Sequence, residues 1–124
     1  MQVMGRDSLR FELREAMAGL HDVTGALLAT TDGLVLAAEC DEQLAEPVAA
    51  LAAATAGVGA QFTQLVGIGD TGTYLVQGGH GCVAVQRVAE NTVLVLYGRS
   101  GANVAWLNLA VRQIVPRIEA VLKG

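Results

Sequence analysis

Residues Leu44 to Leu65, LAEPVAALAAATAGVGAQFTQL, constrain this chain more than any other stretch. Their one charge is Glu46. The larger side chains Leu44, Val48, Leu51, Thr55, Val58, Phe62 and Leu65 recur in steps of four and three, which aligns them in one stripe along a helix. Ala49, Ala50, Ala53, Gly57 and Ala60 take the opposite face, with Glu46, Gln61 and Gln64 along it. A surface helix normally carries charges on such a face; this one carries methyl groups and bare backbone. A helix that is apolar nearly all round needs cover on two sides. The large stripe is expected to face a sheet, and the small face to meet something outside the core. A transmembrane reading is opposed by Glu46, Gln61 and Gln64, and by the small insertion energy of Ala and Gly.

The length of 124 residues suits one domain over 1–124, with one sizeable core. Charged residues make up 16%, below the usual quarter, which points to surface given over to partners. A net charge of −4 with no basic run argues against non-specific nucleic-acid binding. Cys40 and Cys82 provide no disulfide framework, and nothing resembles a signal peptide, so the expectation is a cytoplasmic protein without membrane insertion.

A first helix is expected from about Asp7 to Ala18, capped by Asp7 or Ser8 and stopped at Gly19. His21 reads as a loop residue. Gly25–Thr30 and Leu34–Ala38 read as strands joined by the turn Thr31-Asp32-Gly33. The acidic loop Glu39–Gln43 leads into the long helix. Three more strands, Thr73–Gln77, Cys82–Val88 and Thr92–Gly98, are separated by Gly78–Gly81 and Ala89–Asn91. Gly25–Thr30 and Thr92–Gly98 are apolar on both faces, which predicts central strands covered on each side. The last helix starts near Ser100 or Ala102 and runs to about Leu122, with Val104, Leu107, Val111, Ile114, Ile118 and Val121 facing inward. Trp106 and Leu109 lie off that stripe. Pro116 is expected to bend this helix or end it early. The order α-β-β-α-β-β-β-α with short hairpins predicts a three-layer α+β sandwich around a five-stranded antiparallel sheet.

No constellation for catalysis emerges, and no cofactor is expected. Gly67-Ile-Gly69-Asp-Thr-Gly72 matches G-x-G-x-x-G, but a helix precedes it and a strand follows, the reverse of a dinucleotide loop. His80 and Cys82 sit two apart with no further ligand at metal-binding spacing; they read as a turn and a core residue. Nothing near Cys40 would depress its pKa. Asp32 and Asp70 belong to turns, and Ser8 and Ser100 to helix starts. The phosphate loop and the nucleophile elbow are both absent.

Interaction surface remains. Thr73, Tyr74, Leu75, Val76 and Gln77 contain neither Lys nor Pro to block pairing if they form an edge strand. With Glu46, Ala49, Ala50, Ala53, Gly57, Ala60, Gln61 and Gln64 they make the expected dimer interface. A twofold axis could pair helix with helix and edge with edge.

The chain resembles the Roadblock family of dynein light chains and bacterial GTPase regulators. The resemblance rests on Val23–Ala37, on Leu51-Ala-Ala-Ala54, and on Leu94-Val-Leu96 followed by Ala102-Asn-Val-Ala-Trp-Leu107. It implies the profilin-like Roadblock fold and a homodimer with paired long helices and a ten-stranded sheet. It further implies a non-catalytic regulator of a small Ras-like GTPase in a signalling or polarity system, or an adaptor in a larger assembly. Some bacterial members look like GTPase-activating proteins, a role for which Arg87 and Arg99 are the exposed candidates. A scaffold or ligand-sensing module unrelated to a GTPase is the further alternative. Family members often carry glycine after the asparagine near the last helix; here Val104 and Ala105 follow Asn103, so no GTPase contact is carried over.

Overall fold

A computed structural model describes residues 2–20, 22–69, 72–99 and 104–123, with the backbone alone for 2–6, 104 and 106. The expected helix start at Ser100 or Ala102, the readings of His21, Asp70 and Asn103, and the Trp106 side chain lie outside the described residues. The elements are α1 (Gln2–Ala18), β1 (Val23–Thr30), β2 (Val35–Glu39), α2 (Ala45–Val66), β3 (Thr73–Gly78), β4 (Gly81–Ala89), β5 (Thr92–Arg99) and α3 (Val104–Lys123). A single 3-10 turn, Glu42–Leu44, leads into α2, and Asp41 Oδ1 accepts from Gln43 N at its start.

The five strands form one antiparallel sheet in the order β2-β1-β5-β4-β3. The two strands that are apolar on both faces, β1 and β5, sit beside each other inside the sheet, as their composition requires. One face carries α1 and α3 over Leu28, Ala84, Leu94 and Leu96, into which Leu13, Leu107, Ile114 and Ile118 pack. The other face carries α2 over Leu27, Val85, Val93 and Val95. The three-layer α+β sandwich is therefore the observed architecture.

Helix α1 differs from the sequence expectation. Helix α1 starts at Gln2, so Asp7 and Ser8 lie inside it and do not cap it. Helix α3 runs through Pro116 to Lys123 and neither ends early nor loses its buried stripe. Pro116 is on the exposed face, where water can satisfy the carbonyl left without its helical donor. Cys82 is buried in the core and His80 is exposed beside the β3–β4 turn.

At the end of β2, Glu39 accepts from Arg10 Nε at 2.7 Å and from Arg14 Nη2 at 3.0 Å, clamping α1 to the sheet edge. Burial pushes the carboxyl up, but the two guanidiniums outweigh it and hold its pKa below the ordinary 4.5. A carboxylate depressed in this way adds stability above its unfolded pKa and loses it as pH falls through the folded value. Both arginines are more than half exposed, so water screens the pair. Glu39→Gln is expected to cost about 0.5–1 kcal/mol at neutral pH and progressively less as pH falls from the ordinary carboxylate range through the lowered folded value. Urea titrations across that pH range check this; an equal gap throughout would show that the charge is not responsible.

Candidate self-association surface

The long helix presents the opposite face to the sheet from the one its large side chains suggest. Ala49, Ala52 and Gly59 are buried against the sheet, with Ala45, Ala56 and Val48 beside them. Leu51, Val58, Phe62 and Leu65 point away and are 69%, 60%, 67% and 86% exposed; Leu44, in the turn ahead of the helix, is also exposed. The expectation that the large stripe covers the sheet holds for Val48 and is overturned for Leu44, Leu51, Val58, Phe62 and Leu65, and so is the assignment of Ala49 to a dimer interface.

The physical reason is clearance. Gly33 in the β1–β2 turn has φ of 91°, and a Cβ there would lie 3.4 Å from the Ala50 Cα. The turn thus fills the space beside Ala49, Ala50 and Ala53. On the other flank the Tyr74 ring occupies the place of a Gly59 side chain. Small residues let α2 settle between these two obstacles, and large ones would lift it off. The Tyr74 hydroxyl is buried there without a hydrogen-bond partner. Tyr74→Phe is therefore expected to leave stability unchanged or raise it by up to about 1 kcal/mol, read from thermal melts. A clear drop in melting temperature would mean that the hydroxyl has a partner in solution.

Of the remaining residues assigned to the interface, Glu46, Ala50, Gly57, Gln61 and Gln64 are exposed, and Ala53 and Ala60 are half-buried. Thr73, Tyr74 and Leu75 are half-buried, and Val76 and Gln77 are exposed. β3 is an edge strand, which meets the condition set for pairing: it pairs with β4 from Thr73↔Gln86 to Gly78↔Gly81, and among the described residues no strand lies on its other side. The Thr73 hydroxyl donates to Gln86 Oε1 across that pair.

Between α2 and this edge lies an open apolar groove of about 360 Å³, floored by Val83, Val85 and Val95 and walled by Leu51, Val76 and Tyr97. The Tyr97 hydroxyl hydrogen-bonds with the Cys40 thiol. Burial pushes both pKa values up; Cys40 and Asp41 add to the rise at Tyr97, and at Cys40 the Tyr97 hydrogen bond opposes it while Asp41 and Glu39 add to it, so both groups are neutral at pH 7. The groove is uncharged as well as apolar. Exposed stripe, groove and open strand edge are continuous, which is the composition of an interface rather than of a monomer's surface. Leu44, Leu51, Val58, Phe62 and Leu65 are the surface residues that sequence reasoning placed in the core. The usable signal was the run Ala49, Ala52, Ala56, Gly59, a stripe of small residues opposite them.

Arg87 and Arg99 are not brought together. They lie at opposite ends of the β4–β5 ladder, in the pairs Arg87↔Val93 and Gly81↔Arg99. Arg87 donates from Nη2 to the Glu90 carbonyl at 2.6 Å, tying the β4–β5 turn, while Arg99 is exposed. Gly67 closes the C-terminus of α2, so the glycine-rich loop leaves a helix, as expected. Among the described residues, Glu42–Val66 is the one helix long and apolar enough to cross a membrane by length and composition. Its Ala49, Ala52 and Gly59 pack on the sheet and its Glu46, Gln61 and Gln64 are exposed.

The profile of the Roadblock/LC7 domain matches residues 11–98. No curated protein matches the sequence. Among solved structures, a Roadblock/LC7 domain from Streptomyces avermitilis superposes with a TM-score of 0.85 at 22% identity, covering 93% of this chain and 98% of that one. The gliding protein MglB from Thermus thermophilus gives 0.82 at 19% identity, covering 96% and 91%. Profilin from Schizosaccharomyces pombe gives 0.69 at 13% identity, covering 92% and 98%. These likenesses establish the shared fold.

Proposed function

Because the chain belongs to the Roadblock/LC7 family, we propose that it acts as a non-catalytic, homodimeric regulator or adaptor that binds a small Ras-like GTPase. A gliding protein among the similar structures fits a polarity or signalling role. The observation that carries the reading is the continuous apolar surface of α2, groove and β3 edge. Two copies related by a twofold axis bury the outer stripe of each α2 and join the two β3 edges into one sheet. The pairing face is thus Leu44, Leu51, Val58, Phe62 and Leu65 with Thr73–Gln77. Glu46, Ala50 and Ala53 lie on the other flank of α2, beside the β1–β2 turn.

Activation of GTP hydrolysis is a second reading, favoured by one observation: Arg99 is an exposed arginine at a strand end. A catalytic arginine contributes a large rate factor to such hydrolysis. Sedimentation at micromolar concentration tests the pair, and a dimer is the expected result. GTP turnover by a Ras-like GTPase encoded beside this chain then separates the readings. Binding with unchanged turnover supports the adaptor, whereas acceleration lost in Arg99→Ala supports the activator. A stable monomer, or no binding to such a GTPase, counts against the first proposal.

A further inference from the structure

A second groove lies across α2 from the outer stripe, where the β1–β2 turn meets the helix start. Leu34 and Val35 form one wall, and Glu42, Ala45, Glu46 and Pro47 form the other. Leu34 is 66% exposed, although its backbone is fixed: its carbonyl accepts from Thr30 N at 2.8 Å and its N–H donates to Thr30 Oγ1 at 3.0 Å. A held backbone presents an apolar side chain to water without the freedom to fold it away.

The rim of the groove is acidic. Glu42 and Glu46 are four apart and both exposed, and among the described residues neither has a cationic partner. Asp41, next to Glu42 in the chain, and Asp32, next to Gly33, are exposed too. Among the described residues, no Lys or Arg lines the groove. Glu42 lies in the 3-10 turn and Glu46 in the first turn of α2, so together they give the groove a negative rim that an incoming cation meets favourably. At about 1030 Å³ and open to solvent, the groove has room for a stretch of polypeptide.

We propose that this groove docks a segment of a partner protein in which an apolar side chain is flanked by lysine or arginine. The apolar side chain packs on Leu34 and Val35, and the cations meet Glu42 and Glu46. Charge complementarity of this kind governs encounter rate and partner choice. The groove lies toward the β2 edge and the self-association surface toward the β3 edge, so the inference stands whether or not the chain pairs with itself.

The test is an NMR titration of the ¹⁵N-labelled protein with a synthetic peptide alternating lysine and leucine. Two control peptides replace every lysine by glutamate, or every leucine by serine. Amide shifts should centre on Gly33–Val35 and Glu42–Glu46 with the first peptide and be lost with both controls. Affinity should fall about tenfold or more in Leu34→Ser and in the double variant Glu42→Gln, Glu46→Gln, and should weaken as salt rises. These side chains are exposed, so unchanged melting temperatures are expected and keep the comparison clean. Shifts centred on Leu51–Leu65, equal binding of the glutamate peptide, unchanged affinity in the variants, or no binding at millimolar peptide would each overturn the proposal.

Discussion

Leu51→Asp is expected to yield a folded monomer. Leu51 is 69% exposed in the single chain and borders the groove beside Val76 and Tyr97, so the change removes nothing from the core. Its effect on folding should stay within about 0.5 kcal/mol. In the paired state the carboxylate would be desolvated in an uncharged groove with no cation lining it, at a cost of several kcal/mol. Each 1.4 kcal/mol is about a tenfold loss, so the dimer dissociation constant should rise roughly 100-fold or more. Sedimentation velocity across a concentration series reads this directly. Ala53→Glu provides the contrast. Ala53 is half-buried, with its Cβ beside the Gly33 turn, so the glutamate should lower stability more than it alters association. If Ala53→Glu breaks the pair and Leu51→Asp does not, the face assignment made from the structure is wrong.

The second large effect concerns Gly59. A Cβ there would fall within the Tyr74 ring, which is held under α2. Replacing Gly by Ala in a helix normally gains about 1 kcal/mol. Overpacking at this contact costs about 1–3 kcal/mol, so the clash should win. Gly59→Ala is expected to lower the melting temperature by several degrees, at roughly 3–5 °C per kcal/mol for a domain of this size. In a Tyr74→Ala background the space is free and the sign should reverse, leaving only the helix gain. Gly57, two residues earlier, faces open space: a methyl added there would meet nothing within 4 Å, so Gly57→Ala should stabilise in any background. Additive effects of Gly59→Ala and Tyr74→Ala would show that the ring and the helix do not compete for that volume.

Much of the architecture is legible in the residues themselves. The double-sided apolar runs Gly25–Thr30 and Thr92–Gly98 declare inner strands, and they are neighbours in the sheet. Thr73–Gln77 has neither Lys nor Pro to block pairing should it form an edge, and β3 is one. The orientation of α2 is not legible in the same way. Periodicity reports that two faces differ, and hydrophobicity favours burying the larger one. What decides is the shape of the surface underneath, with the Gly33 turn on one flank and Tyr74 on the other, both remote in sequence from Ala49 and Gly59. Helix starts are hidden for a related reason: Asp7 and Ser8 are good caps, yet α1 continues past them to Gln2, because a side chain that can cap is also tolerated inside a helix.

The two margins of the sheet are unlike. β2 is five residues long, has an irregularity where its partner strand passes from Leu28 to Ala29, and carries Glu39 clamped by two arginines of α1. β3 has no such guard. A sheet with two open margins can add strands at both ends without limit, as fibres do; a sheet with one has a valence of one. If a second copy pairs with β3, as proposed, the combined sheet would end in two β2 strands, and strand addition at its margins would stop at two.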